Sequence, residues 1–381
     1  MAPPRAGPPG RPTETDGARR AGGLRIGFLN SWPLDPAVGS GSAAAIVGLG
    51  AALEAQGHRV THLGPPPDAH GRLRQRLRYN LAVRRPALRG RFDLLVGFDL
   101  DGFLTSGRTR APYVVALKGI VADERRLETG MARARLGLLT APEAWNARRA
   151  SVVIVTSRYS REVAVRRYGL PRERVRVVPE GIDLAEWGRP PRRPGSARSE
   201  HTVLSVARQY RRKNTATLLR AFARVRAELP DARLRIVGDG PELPRLRTLA
   251  THLGLGESAR FLGALRTAAE VRAEYANADL FCLPSRQEGF GIVFLEAMAA
   301  GLPVVASHAA AVPEVVPDGR AGRLVDPGNP EALAAALLEL LRDAELRSHY
   351  GHFARTHVRR YAWPGIARLF LTETVPTGRV A

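Results

Sequence analysis

The strongest constraint on this chain is a rhythm: short runs rich in Val, Leu and Ile, each bounded by Gly, Pro or Ser, alternate with longer segments of helical spacing. The first series reads LRIGFLN, RVTHLG, FDLLVGF, APYVVALKG, SVVIVTS and VRVVPEG. Runs of this kind are the mark of parallel strands buried on both faces. A second series follows: TVLSVAR, RLRIVGDG, ARFLGA, DLFCLPS, LPVVAS and GRLVD. Between the two, GRPPRRPGSARSE (188–200) interrupts all periodicity with proline and arginine, as a domain linker does. The expectation is an α/β protein with two doubly wound, Rossmann-like parallel-sheet domains, 23–187 and 201–355, facing each other across a cleft. Residues 1–22 carry almost no apolar content and read as a disordered tail. Residues 356–381 keep helical spacing without a further strand and are expected to return toward the first domain.

The net charge of +22 is the usual footprint of a nucleic-acid or anionic-membrane partner. Of the 58 basic residues, however, only Lys118 and Lys213 are lysines. Such an arginine bias weakens basicity as a sign of binding, and no nucleic-acid partner is expected. It also marks the two lysines as candidates for work that suits a compact ammonium rather than a planar guanidinium fork. The lone cysteine, Cys282, excludes an intramolecular disulfide and fits a reducing compartment. No run approaches the roughly 20 apolar residues of a membrane span, and the N-terminus lacks a signal-peptide core. The expected location is cytoplasmic, free or held at the inner membrane face.

Ligands of doubly wound sheets bind beyond the carboxyl ends of the strands, so the residues after each run carry the chemistry. After TVLSVAR come Arg208 and Lys213, two cations that can converge on one anion from two sides of a turn. After RLRIVGDG, Gly238 and Gly240 let backbone approach a ligand closely. The stretch SRQEGFGIVFLEAMAAGLPVVAS (285–307) places Glu288 before a Gly-Phe-Gly turn and Glu296 beyond it. A helix starting near Gly291 would aim its free amides at the cleft, an anion site that needs no side chain. Glu296, inside that helix, can accept hydrogen bonds from two vicinal ribose hydroxyls, and Glu288 falls near whatever the diphosphate carries.

PSRQEGFGIVFLEAMAAGLPVVAS, with VPEVVPDGRAGRLVDPGNPEALAAAL after it, resembles the donor-binding half of the retaining glycosyltransferases of family 4, which have the GT-B fold. VVPEGID (177–183) resembles that family's interdomain segment, and SRYSREVAVRRYG the helix before it. The resemblance implies that Arg208 and Lys213 hold the donor diphosphate, that Glu288 contacts the donor sugar, and that Glu296 binds the ribose. It further implies that the amides of Phe290, Gly291 and Ile292 complete the pocket and that Gly263 to Leu265 lie beside the nucleobase. In the first domain, Gly39 and Gly41 resemble the family's glycine loop, which nears the diphosphate from the acceptor side. A dinucleotide fingerprint fails there, because the third glycine is replaced by Ala44.

Three departures stand out. Ala309 and Ala310 occupy positions where the family usually has paired glycines, and Glu180 one where asparagine is common. Lys118 stands near the reacting sugar, where a histidine is common. Lys118 is therefore a candidate for the chemistry, with an acceptor-phosphate role as the competing reading. Asp99 and Asp101 form an Asp-x-Asp pattern. No metal is expected on it, because Arg208, Lys213 and a helix dipole already neutralise the diphosphate; acceptor binding or loop capping are the readings left. Leu73, Leu77 and Leu81 recur among eight arginines in 72–91, a basic amphipathic segment suited to anionic lipid, to an anionic acceptor, or simply to solvent.

The resemblance implies a hexosyltransferase that takes its sugar from a nucleoside diphosphate, passes it to an unidentified acceptor hydroxyl, and uses no cofactor. A nucleotide-sugar epimerase or a glycoside phosphorylase on the same fold remains open, as does a basic nucleic-acid-binding protein.

Overall fold

The computed structural model describes residues 23–31, 34, 41–64, 73–188 and 201–375. The expected tail 1–22, Gly39, Arg72, the side chain of Leu73 and nearly all of the 188–200 linker lie outside the described residues.

Every run in the two series is a strand, and the strands form two six-stranded sheets. The first contains β1 (Arg25–Leu29), β2 (Arg59–Leu63), β3 (Leu94–Phe98), β4 (Tyr113–Leu117), β5 (Val152–Val155) and β6 (Val175–Val177), in the order β2-β1-β3-β4-β5-β6. The second contains β7 (Thr202–Val206), β8 (Arg233–Val237), β9 (Ala259–Gly263), β10 (Leu280–Leu283), β11 (Val304–Ser307) and β12 (Gly322–Val325), in the order β12-β11-β10-β7-β8-β9. All neighbouring strands pair in parallel. Each sheet is sandwiched by helices, so each has an apolar core on both faces. Strand order reverses between β1 and β3 and between β7 and β10. Those switch points open crevices at the carboxyl ends, and the two face each other.

The chain crosses back between the sheets near its end. Ile182 donates to the carbonyl of Tyr361 at 2.9 Å, and the amide of Trp363 donates back to Ile182 at 3.3 Å. The indole of Trp363 fits between Gly48 and Gly181; a Cβ at either would come within 2.3 Å of the ring. Helix Trp363–Thr374 then buries Ile366, Ala367 and Phe370 in the core that holds Ile26, Phe28 and Ile46 under the first sheet.

The basic segment is the helix Leu73–Arg89, but its buried face is not leucine. Tyr79, Val83 and Ala87 enter the core, while Leu77 and Leu81 are 44% and 63% exposed. A buried polar hub sets this rotation. Asp101 is fully buried and accepts from the amide and hydroxyl of Ser31 at 2.6 and 2.7 Å, from Asn80 at 3.4 Å and from Arg76 at 3.5 Å. The acceptor reading of Asp101 is thereby corrected: its carboxylate docks a helix and does not face the cleft.

Candidate active site

At the β7/β10 switch point two loops are zipped together. The amide of Arg286 donates to the carbonyl of Arg212 at 2.8 Å, and the side-chain amide of Asn214 donates to the carbonyl of Pro284 at 3.1 Å. Asn214 itself sits in the left-handed region, φ 59°, where a short polar side chain is tolerated. The zipper brings Lys213 opposite Glu288. The lysine Nζ donates to both carboxylate oxygens, at 2.7 and 2.8 Å, and Ser285 Oγ donates to Oε1 at 2.7 Å. Both side chains are largely buried. Glu288 is thus held by a cation and a hydroxyl.

Arg208 is exposed, its guanidinium 5.8 Å from the ring of Tyr210. Among the described residues it has no ion-pair partner, so it is available to a ligand anion. Arg212, which the sequence reading passed over, is committed: it crosses to Glu124 at 3.3 Å and Glu128 at 3.6 Å in the first domain.

Helix Ile292–Ala300 begins at Gly291, φ 90°, a conformation that suits glycine and that a Cβ would spoil by meeting the Phe294 ring at 2.6 Å. Its first amides have no intrahelical acceptor and lie at the carboxyl edge of the sheet. The Phe290 side chain is buried edge-on against Tyr361, centroids 5.7 Å apart, leaving only its backbone for a ligand. One turn on, Glu296 Oε2 accepts from the hydroxyl of Tyr275 at 2.8 Å. Burial pushes the Glu296 carboxyl up to about 7, although the Tyr275 hydrogen bond pulls it back.

The β8 glycines meet a constraint that the sequence did not show. A Cβ on Gly238 would lie 2.0 Å from the carbonyl of Ala207, and one on Gly240 2.6 Å from that of Gln209. Their smallness admits the neighbouring loop of the protein itself. Gly263, φ 67°, has open space where a Cβ would be, and Leu265 is half-buried against the core.

From the first domain, Gly41 reaches the other side of the same helix terminus; a Cβ there would strike Ile292 at 2.7 Å. At the end of β4, Lys118 donates to both oxygens of Glu180, at 3.0 and 2.9 Å. Two of the three departures from the family pattern are therefore one ion pair. Asp99 is in the left-handed region, φ 56°, and its Oδ1 accepts from the amide of Lys118 at 2.8 Å. Burial pushes its carboxyl up to about 6, against the pull of Arg76 and Lys118. No group of three or more His, Cys, Asp or Glu that could hold a metal ion occurs among the described residues.

The family model for glycosyl transferases group 1 matches residues 191–357, and that for glycosyltransferase family 4 matches residues 39–186. A GDP-mannose-dependent alpha-(1-6)-phosphatidylinositol monomannoside mannosyltransferase of Mycolicibacterium smegmatis is 35% identical over 207 residues, 51% of this chain and 54% of the relative. A phosphatidyl-myo-inositol mannosyltransferase of the same organism is 41% identical over 192 residues, 49% of this chain and 48% of the relative. A D-inositol 3-phosphate glycosyltransferase of Corynebacterium jeikeium is 35% identical over 224 residues, 53% of this chain and 52% of the relative. The chain thus spans about half the length of these curated relatives. In fold it matches the Anabaena protein HepE, solved with UDP and glucose, with TM-score 0.70 at 22% identity over 92% of this chain and 98% of that one. It also matches a sucrose-phosphate synthase of Thermosynechococcus elongatus, with TM-score 0.78, 22% identity and the same coverage of both chains. With one model on each sheet, together over most of the chain, the protein has the GT-B fold and belongs to the group 1, family 4 type of glycosyltransferases.

Proposed function

We propose that this chain transfers a sugar from a nucleoside diphosphate to an acceptor hydroxyl, with retention of configuration and without a metal ion. The observation that carries this reading is the Lys213–Glu288 pair at the β7/β10 switch point, beside the amino end of helix Ile292–Ala300. Glu288 faces the donor sugar. Lys213, Arg208 and the amides of Gly291 and Ile292 take up negative charge as the bond between the anomeric carbon and the phosphate oxygen breaks. The acceptor oxygen then bonds to that carbon on the same face. Its proton passes to the departing phosphate oxygen, so no protein base is required.

Glu296 is assigned to the ribose, Gly263 to Leu265 to the base, and Asp99 and Lys118 to the acceptor side of the reacting sugar. The names of the relatives favour a mannosyl donor and an inositol-bearing acceptor, and those of the fold neighbours favour UDP; the donor base is the first unknown to resolve. Each nucleoside diphosphate should be screened for thermal stabilisation. At a hundredfold excess over Kd the cognate one adds about 2.7 kcal/mol, and a screen in which none raises Tm counts against the reading.

No helix among the described residues is long and apolar enough to cross a membrane. A peripheral contact is favoured by a different observation. The exposed large hydrophobics of the described residues, Leu77, Leu81, Met131, Leu138 and Trp145, all lie on helices Leu73–Arg89 and Gly130–Arg149. Arg78, Arg84, Arg85 and Arg89 surround the first pair and Arg133, Arg135 and Arg149 the rest, and the only carboxylate on either helix, Glu143, is buried. An apolar and purely cationic surface of this kind suits anionic lipid.

A further inference from the structure

The carbonyl of Gly289, the residue after Glu288, accepts three hydrogen bonds from the opposite domain. Thr156 Oγ1 lies at 3.0 Å, Ser157 Oγ at 2.7 Å and Ser160 Oγ at 3.1 Å. All three donors are buried. They stand at the carboxyl end of β5 and on the first turn of helix Arg158–Tyr168. Beside them, Glu314 of the second domain accepts from the amides of Arg158 and Tyr159 at 2.9 and 2.7 Å, and Ser157 Oγ accepts from the amide of Ser160 at 3.0 Å. The first amides of a helix have no acceptor within the helix itself. Here the amides of Arg158 and Tyr159 spend their hydrogen bonds on Glu314 and the three hydroxyls theirs on the loop that carries Glu288, both in the other domain. A Cβ on Gly289 would meet the Lys118 carbonyl at 3.5 Å, which places the end of β4 against the same loop.

We propose that Thr156 and Ser160, with Ser157 between them, are positioning residues: through the Gly289 carbonyl they set the Glu288 carboxylate in place, and only while the domains are closed. The proposal rests on the assignment of Glu288 to the donor sugar. In the bonds to Gly289 and to Glu314 all of the donors belong to one domain and both acceptors to the other. An opening of the cleft therefore removes every one together and frees the loop, and closure restores them. Glu288 then acquires its reacting geometry only when both substrates are enclosed, while the diphosphate and ribose contacts, made within the second domain, do not depend on it.

The test is the double variant Thr156→Val/Ser160→Ala, which leaves Ser157 to cap its helix. The expected result is a kcat lower by roughly tenfold, with nucleoside diphosphate affinity and donor KM within about twofold of the parent. Thr156→Ser/Ser160→Thr, which keeps both hydroxyls, is expected to restore kcat. In parallel, amide hydrogen exchange over 285–292 is expected to quicken in the Val/Ala variant alone. An unchanged kcat overturns the proposal, as does a loss that the hydroxyl-bearing variant fails to restore, because that loss reports packing rather than the hydrogen bonds. Should the parent transfer no sugar from any nucleotide donor, the functional reading falls by itself. Exchange over 285–292 then decides the latch, and equal exchange in parent and Val/Ala variant refutes it.

Discussion

The two lysines of the chain sit on facing strand ends in opposite domains, and each grips a glutamate through both carboxylate oxygens. Their surroundings differ. Lys213–Glu288 lies among other polar groups: Ser285 on the carboxylate, Arg208 nearby on the same loop, and the amino end of a helix. Lys118–Glu180 lies against an apolar wall. Its ammonium is 5.7 Å from the Phe98 ring centroid, and the pair lines a small crevice with Leu117, Ile154, Val178 and Trp363. One pair can exchange partners with an incoming anion, since several donors stand ready for either. In the other, each ion depends on its mate. On the proposed reading the first pair meets the donor directly, whereas the second serves the acceptor side only while it stays paired.

Breaking the obligate pair should have the largest effect. Both side chains of Lys118 and Glu180 are 9% exposed, so Lys118→Met leaves a buried carboxylate uncompensated and should cost about 3–5 kcal/mol of stability. Lys118→Met/Glu180→Gln, which removes both charges, should recover most of it. A urea-denaturation cycle measures the coupling, and additive losses would show that the two ions do not depend on each other. Lys213→Ala should be the contrary case. Its main cost should be catalytic, about 3 kcal/mol or a hundredfold in kcat, as for loss of one oxyanion donor, with a smaller change in melting temperature. If the variant turns over normally, the diphosphate role of Lys213 is wrong.

The difference between the pairs was only half visible in the linear chain. All the strands could be read because a strand buried on both faces writes itself as a continuous Val/Leu/Ile run, and both lysines were placed at strand ends for the same reason. Their partners were hidden. Lys118 and Glu180 are 62 positions apart and Lys213 and Glu288 are 75, and which strand ends become neighbours depends on sheet order. Arg208 and Lys213 were read as converging on one anion, and that Lys213 is also bound to Glu288 could not be seen from the chain. The helix at 73–89 shows the same limit in another way. Leu77 and Leu81 have the spacing of a buried face, but hydrogen bonds from Arg76 and Asn80 to Asp101 turn that face outward, and nothing local in the sequence signals a hub that draws on Ser31 and Asp101.

Glu296 sharpens the comparison within the donor half, because its charge is conditional. Burial favours the protonated acid in the folded protein. The resulting stability is fully present below the unfolded carboxyl range near 4.5 and is lost as pH rises through about 7. Ribose hydroxyls need the carboxylate as acceptor, so nucleoside diphosphate affinity should rise with pH over the interval in which stability falls. About a tenfold gain between pH 6 and pH 8 is expected from one such group. Titration calorimetry on the parent and on Glu296→Gln separates this from ionisation of the ligand phosphate, which both proteins share. Equal pH profiles would remove Glu296 from the ribose.

The smallest effect belongs to the outer surface of the acceptor half, which nothing among the described residues of the donor half matches. Leu77→Ser/Leu81→Ser removes two exposed apolar groups and no charge, so the fold and the hub at Asp101 should be untouched. On vesicles rich in anionic lipid the variant should co-sediment several-fold less well than the parent, while its nucleoside diphosphate affinity stays the same. Raising the salt should release both proteins, because the surrounding arginines supply the long-range part of the attraction and the leucines only the short-range part. A parent protein that ignores such vesicles at low salt would make the leucines and arginines an ordinary solvated face. The asymmetry between the halves would then be confined to the environments of the two lysines.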